Sequence, residues 1–166
     1  MKKKKIKFNF FTATKHENPK KGCLESHLSV IKNAIDKGFK KVYYFVYDHD
    51  TKDFILIDDD IKIKRFNKSY SINEGYSECF DNDLKEYLKF IKLNNYKQRY
   101  YGCIVSDFHN ILINGGIFLY PKTDKHKNGK IRLLYEAIPL SHIAKLANGK
   151  SSDGNIDIID KKINNI

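Results

Sequence analysis

NGKIRLLYEAIP, residues 128–139, combines a turn, a strand pattern and a helix start in one short stretch. The Asn-Gly pair is a strong hairpin signal, IRLLYE predicts a returning strand, and the final proline favours the first turn of a helix. Because alternate residues of a strand share a face, Lys130, Arg132 and Glu136 are expected side by side. Two cations and a carboxylate could bind a phosphate and a metal together. The alternative interpretation is a salt-bridged edge strand.

Outward from this segment, strand and helix patterns alternate without a visible repeat. Apolar residues three to four positions apart predict helices, and these cover residues 25–37, 81 or 82 to 93, 106–113 and 139–148. Apolar runs bounded by turn residues predict strands, in a hairpin at 42–60 and in short segments at 61–64, 117–121 and 156–160. We therefore expect an α/β fold, a mixed β-sheet flanked by helices.

The composition is that of a soluble, cytoplasmic protein. The chain has 166 residues, 41% of them hydrophobic, which suffices for one domain with a core. Its mean hydropathy is −0.57, and no apolar run approaches the length of a membrane span. The three cysteines form neither a zinc pattern nor an even disulfide set, so we expect reduced thiols.

The net charge of +11 raises the question of nucleic-acid binding. Residues 1–21 hold eight lysines and one glutamate, which leaves only +4 for the rest of the chain. A groove-binding protein would carry its cations and aromatics on the folded body. A solvated basic tail is therefore favoured over a nucleic-acid arm, which stays open as an alternative.

Arginine is scarce in this lysine-rich chain, which contains only Arg65, Arg99 and Arg132. The planar guanidinium binds phosphate oxygens in pairs, whereas a lysine ammonium acts as a point charge. The few arginines present are therefore candidates for phosphate contacts.

Four segments in order carry a resemblance to a known family: SINEGY (71–76), RYYGCIVSDFH (99–109), GGIFLYP (115–121) and GKIRLLYEAIPLS (129–141). Together they resemble the carboxy-terminal half of class I fructose-1,6-bisphosphatases, over roughly residues 42–149. The resemblance implies two parts. Residues 1–40 are an atypical basic extension with one helix, and residues 41–166 are the C-terminal domain of the sugar-phosphatase fold, truncated at its end.

The resemblance also implies a set of site residues. Those matching the family's 6-phosphate pocket are Asn73, Tyr76, Arg99, Tyr100 and Tyr120. Lys130 matches a lysine that contacts the sugar and phosphate, Arg132 an arginine near the 1-phosphate, and Glu136 a metal ligand. In this family the arginine that Arg99 matches reaches into a neighbouring subunit, so a homo-oligomer is implied.

The implied activity is magnesium-dependent hydrolysis of the 1-phosphate of fructose 1,6-bisphosphate, which gives fructose 6-phosphate in gluconeogenesis. In the family most metal ligands lie in the amino-terminal half. We therefore expect a fragment that holds the sugar-phosphate-binding half and contains no catalytic residue of its own. The alternatives are a catalytically inactive sugar-phosphate-binding module or paralogue and a basic nucleic-acid-binding protein. A sedoheptulose bisphosphatase is a disfavoured variant of the same function.

Several residues have simpler interpretations. Asn73 could merely shape a turn, and Cys103 is expected to be a small core residue. His142 is expected on an exposed helix face. The run Asp58 to Asp60 is expected to be solvated, because consecutive strand-end carboxylates point in different directions.

Overall fold

The computed structural model describes residue 38 and residues 40–161. These residues form two compact units: one is Lys62–Ile131, and the other combines the residues up to Ile61 with those from Arg132. The predicted helix at 25–37 lies outside the described residues, and the predicted boundary at residue 40 stays a prediction. Within the described ranges, no helix has the length and apolar content needed to cross a lipid bilayer.

A three-stranded parallel sheet organises the Lys62–Ile131 unit. Its strands are β3 (Ser69–Ser71), β4 (Lys97–Gln98) and β5 (Ile117–Phe118), in the order β4-β3-β5. Tyr70 pairs with Gln98 on one side and with Ile117 on the other. All three residues of β3 are buried, as is usual for a central parallel strand.

Two helices and a short 3-10 helix complete this unit. The 3-10 helix is Glu74–Cys79, α1 is Asn82–Leu93 and α2 is Ile104–Asn114. The Asp81 carboxylate accepts a hydrogen bond from the Leu84 amide at 2.9 Å and caps α1, as predicted. A buried apolar cluster joins the sheet to α1, and its members are Tyr70, Ile72, Phe80, Leu88 and Ile91.

The second unit contains a hairpin and a helical segment. In the hairpin, β1 (Tyr44–Asp48) pairs antiparallel with β2 (Asp53–Asp58), which confirms the prediction for 42–60. A π-helical turn, Leu133–Ala137, leads directly into α3, Ile138–Leu146, so the helix predicted from the proline is confirmed. The α/β class is also confirmed; the described strands form two small sheets, one antiparallel and one parallel.

The strand predicted for IRLLYE is wrong. The amides of Glu136 and Ala137 both donate to the Arg132 carbonyl oxygen, at 3.2 and 3.0 Å. The Glu136 side chain also accepts from the Arg132 amide at 2.8 Å, which stabilises a helical start. Leucine, glutamate and alanine are good helix formers, and no neighbouring strand among the described residues competes for these groups.

Three further strand signals are not realised as predicted. Residues 61–64 form no strand. The Asn-Gly pair closes a turn, with the Gly129 amide donating to the His126 carbonyl at 2.9 Å, instead of joining two strands. Near the end of the described chain, Asp157 accepts from the Ile159 amide at 3.1 Å. This local side-chain bond favours the 3-10 helix Ile158–Asp160 over the predicted strand.

Candidate functional site

The carboxyl ends of the three parallel strands meet at one edge of their sheet. Asn73 lies two residues beyond β3, Tyr100 two beyond β4 and Tyr120 two beyond β5. Ligands of open α/β sheets bind outside the carboxyl ends of the strands. The fold therefore brings together three of the predicted site residues, which are far apart in sequence.

A cavity of about 390 Å³ lies at this edge, within the Lys62–Ile131 unit. Five of the predicted substrate-binding residues line it: Asn73, Tyr76, Tyr100, Tyr120 and Lys130. Its volume is in the range of small-molecule sites. The three tyrosines, Tyr76, Tyr100 and Tyr120, are about half exposed, at 52%, 42% and 46%.

The cavity carries a positive charge. Lys125 and Lys130 line it together with His126, and none of the described lining residues is acidic. A concave surface with cations of one sign attracts anions. Tyrosine hydroxyls and an asparagine amide add directional hydrogen-bond donors. The chemistry of this lining suits a phosphate ester attached to a polar body.

Asn73 also shapes the backbone at the cavity. Its Oδ1 accepts a hydrogen bond from the Gly75 amide at 3.0 Å and caps the 3-10 helix that carries Tyr76. The turn-shaping interpretation is therefore confirmed. Its Nδ2 donates to none of the described residues, so the donor end of the amide is available to a ligand.

A polar network anchors the 3-10 helix to its surroundings. The Tyr70 hydroxyl donates to Glu74 Oε1 at 2.6 Å, and Lys92 of α1 forms an ion pair with Glu74 Oε2. Burial pushes the pKa of Glu74 upward, but the hydrogen bonds from Lys92 and Tyr70 outweigh it, and its pKa lies below the ordinary value. Burial and the bond to Glu74 raise the pKa of Tyr70.

Arg99 does not line the cavity. Its backbone amide donates to the Tyr70 carbonyl oxygen at 2.8 Å, which fixes the start of the loop after β4. Its guanidinium donates to the Gln98 carbonyl oxygen at 3.1 Å. Among the described residues it forms no ion pair, so its charge is available to an external anion.

Arg132 and Glu136 belong to the other unit and pair with each other. One oxygen of the carboxylate bonds the guanidinium and the other accepts from the Arg132 amide. The guanidinium also lies 4.7 Å from the centre of the Tyr135 ring. The hydrogen bond from Arg132 lowers the pKa of Glu136 against the effect of burial. The salt-bridged alternative is therefore realised, on a helical turn instead of a strand.

The described residues do not fit a resident metal ion. No group of three or more His, Cys, Asp or Glu side chains that could hold one occurs among them. Glu136 is a single carboxylate already paired with Arg132, whereas magnesium requires several oxygen ligands in octahedral geometry. Asp58 to Asp60 belong to no such group either. Asp58 and Asp59 are exposed, as expected, whereas Asp60 is only partly exposed and its Oδ1 is buried.

Two cavity residues with basic side chains, Lys125 and His126, escaped sequence reasoning. The turn that presents them is closed by reciprocal backbone bonds between Thr123 and His126, at 3.2 and 2.9 Å. The available signal was that Tyr120 and Lys130 flank this charged loop. Because both ends of the loop carry predicted site residues, the charged residues between them were further candidates for the cavity lining.

Two simpler expectations are corrected. Cys103 is exposed and precedes the first residue of α2. Hydrogen bonds from the backbone and side chain of Ser106 and from the Val105 backbone lower the pKa of its thiol, as expected at a helix N-terminus. His142 is partly buried, and its Nε2 has no hydrogen-bond partner among the described residues. Packing of α3 thus covers a face that was expected to be solvated.

Comparison with known proteins gives a consistent result. Residues 63–166 match the family model "Fructose-1-6-bisphosphatase, C-terminal domain". A class 1 fructose-1,6-bisphosphatase of Chlorobium chlorochromatii is 43% identical over 127 residues, which cover 73% of this chain and 38% of the relative. Fructose-1,6-bisphosphatase 1 of Rattus norvegicus is 46% identical over 121 residues, covering 70% and 33%. A chloroplastic fructose-1,6-bisphosphatase of Spinacia oleracea is 41% identical over 143 residues, covering 83% and 34%. The chain therefore spans between a third and two fifths of the length of these relatives.

Proposed function

Because the chain belongs to the fructose-1,6-bisphosphatase family, of which it carries the C-terminal domain, we propose that its cavity binds the 6-phosphate end of fructose 1,6-bisphosphate. The whole reaction would be hydrolysis of the 1-phosphate to fructose 6-phosphate and phosphate, in gluconeogenesis. The observation that carries the proposal is the convergence of Asn73, Tyr100 and Tyr120 at the ends of three parallel strands, around one cationic cavity.

The lining supplies what a sugar phosphate requires. Lys130 and Lys125 provide charge for the phosphate oxygens, and hydrogen bonds to charged groups are the strong ones. Tyr76, Tyr100 and Tyr120 hold hydroxyls on rigid rings, so few rotamers are lost on binding. Leu119 and Pro121 add a partly apolar wall to the cavity, against which the carbon skeleton of the sugar would pack.

Within this proposal, the described residues bind and orient the substrate. Water attack on the 1-phosphate requires an activating group such as a metal ion, and the described residues do not fit one. Magnesium dependence is therefore proposed for the family's reaction as a whole, and Glu136 would serve as a ligand only after leaving Arg132. Contribution of Arg99 to a neighbouring subunit in a homo-oligomer, and a cytoplasmic location, are proposed on the same family basis.

Binding of fructose 6-phosphate to this chain, measured by isothermal titration calorimetry, tests the proposal. Removal of a charge-assisted contact costs about 1.5–3 kcal/mol, so Lys130→Ala should weaken binding by about tenfold or more. Lys127→Ala is the matched control, because Lys127 is an exposed lysine of the same loop that does not line the cavity.

Equal losses in both variants would show that binding is diffuse electrostatics and would overturn the proposal. Phosphate release from fructose 1,6-bisphosphate with magnesium separates binding from turnover. Binding without release from this chain is the expected result, and it would characterise the chain as a sugar-phosphate-binding domain.

A further inference from the structure

Asp107 is a buried carboxylate that accepts hydrogen bonds from the loop that carries Tyr100. It lies on the first turn of α2 and is 1% exposed. Its Oδ1 accepts hydrogen bonds from the Ser71 hydroxyl at 2.5 Å and from the Tyr101 amide at 3.0 Å. Its Oδ2 accepts from the Cys103 amide at 3.1 Å. The carboxylate thus joins the end of β3, the loop after β4 and α2.

These donors adjoin the residues that line the cavity. Tyr101 follows Tyr100 directly, and Tyr101 and Cys103 flank Gly102, which also lines the cavity. On the other side of Tyr100, the Arg99 amide is held by the Tyr70 carbonyl oxygen at 2.8 Å. Tyr100 is therefore fixed between two backbone anchors, of which Asp107 supplies the second.

The loop needs an acceptor at this point because its backbone is tight. Gly102 has a φ of +78°, a conformation that side-chain-bearing residues rarely adopt. The turn directs the Tyr101 and Cys103 amides toward the buried Asp107 carboxylate, and a buried donor without an acceptor is destabilising. An ionised carboxylate offers two acceptor oxygens and no donor, whereas an amide offers one oxygen and two donors.

We propose that Asp107 is a positioning residue for the sugar-phosphate cavity. It holds Tyr101 and Cys103 so that Tyr100 stays at the cavity, and it holds Ser71 two residues before Asn73. This inference rests on the proposed function. Asp107 does not line the cavity, so its effect on ligand affinity is transmitted through Tyr100 and Asn73.

The test compares Asp107→Asn with Ile111→Val in the same chain. Ile111 is buried on the same helix, and its truncation removes core packing without removing any hydrogen bond to the loop. Asp107→Asn should weaken fructose 6-phosphate binding by about tenfold, and Ile111→Val should leave affinity unchanged. Amide hydrogen exchange should show lost protection at Tyr101 and Cys103 in Asp107→Asn only.

A double-mutant cycle with Tyr100→Phe separates positioning from general damage. If Asp107 acts through Tyr100, the two affinity losses should be markedly less than additive; full additivity would overturn the inference. Ser71→Ala removes a single donor and provides the milder variant if Asp107→Asn fails to fold, with weakened binding again expected. Wild-type affinity in a folded Asp107→Asn or Ser71→Ala variant overturns only this inference. Failure of the unsubstituted chain to bind overturns the proposed function as well.

Discussion

The carboxylate of Glu74 connects the cavity wall that carries Tyr76 to the rest of its unit. It is the first residue of the 3-10 helix that carries Tyr76, and its carboxylate bonds Tyr70 of β3 and Lys92 of α1. The side chain is 25% exposed, so these interactions are only partly screened by solvent. A single carboxylate therefore ties one wall of the cavity to a strand and a helix.

This arrangement predicts an acid-dependent loss of stability. Because the pKa of Glu74 in the folded chain lies below its ordinary value of 4.5, its contribution is complete above that value and disappears as the pH falls through the folded pKa. We expect Glu74→Gln to be less stable than wild type at neutral pH by about 1 kcal/mol. The difference should shrink in acid.

Urea unfolding at neutral pH and at about pH 3 measures that difference. Glu86→Gln is the control, since Glu86 is an exposed carboxylate 3.9 Å from Lys89 on α1. If Glu74→Gln and wild type differ in unfolding free energy by the same amount at both pH values, the ionised carboxylate is not the cause of the difference.

Helix ends were predictable at the scale of elements because their signals are local. The Asp81 cap and the paired glycines after α2 act on residues within one turn. Strands β4 and β5 contain two residues each and exist through pairing with β3, which lies distant in sequence. The pattern IRLLYE was misassigned because a short apolar run does not distinguish strand from helix.

Gly115 provides a prediction about such an element end. It has a φ of +84°, and a Cβ there would lie 2.1 Å from the Lys64 carbonyl oxygen. Gly129 has a φ of +79°, and a Cβ at that position would meet nothing within 4 Å. Gly129→Ala should therefore cost only the backbone strain, about 1–2 kcal/mol.

Gly115→Ala should cost about 1–3 kcal/mol more, because backbone atoms must move to relieve the overlap. Thermal unfolding of the two variants compares the costs directly. Similar melting temperatures would show that the approach of Lys64 to α2 is readily relaxed, and the explanation for the paired glycines would then be backbone conformation alone.

For the whole molecule, residue chemistry and family resemblance contributed differently to the predicted site. The scarcity of arginine indicated that the few arginines could bind phosphate, but it did not locate a pocket. The resemblance to the family supplied the predicted site residues. Five of them share a cavity. Three of these five, Asn73, Tyr100 and Tyr120, meet because three parallel strands end together. Such convergence depends on the pairing of strands that are distant in sequence, so spacing along the chain could not predict it. For the same reason, Lys125 and His126 were not predicted.

Arg99 gives a prediction about assembly. Among the described residues, its guanidinium hydrogen-bonds only the Gln98 carbonyl oxygen, and it lies outside the cavity lining. If a second copy of the chain receives this charge, Arg99→Ala should weaken fructose 6-phosphate binding only in an oligomer, by about 1.5–3 kcal/mol. In a monomer the same change should leave affinity almost unaltered.

Sedimentation velocity run at the concentrations used for calorimetry identifies the species that binds. Arg65→Ala is the control, because Arg65 is a second exposed arginine of the Lys62–Ile131 unit that does not line the cavity. Weaker binding by a monomeric Arg99→Ala variant would place the guanidinium at its own cavity. Unchanged affinity of an oligomeric Arg99→Ala variant would mean that Arg99 binds no phosphate. If it did, the substitution would remove a charge-assisted donor from the bound phosphate and weaken binding.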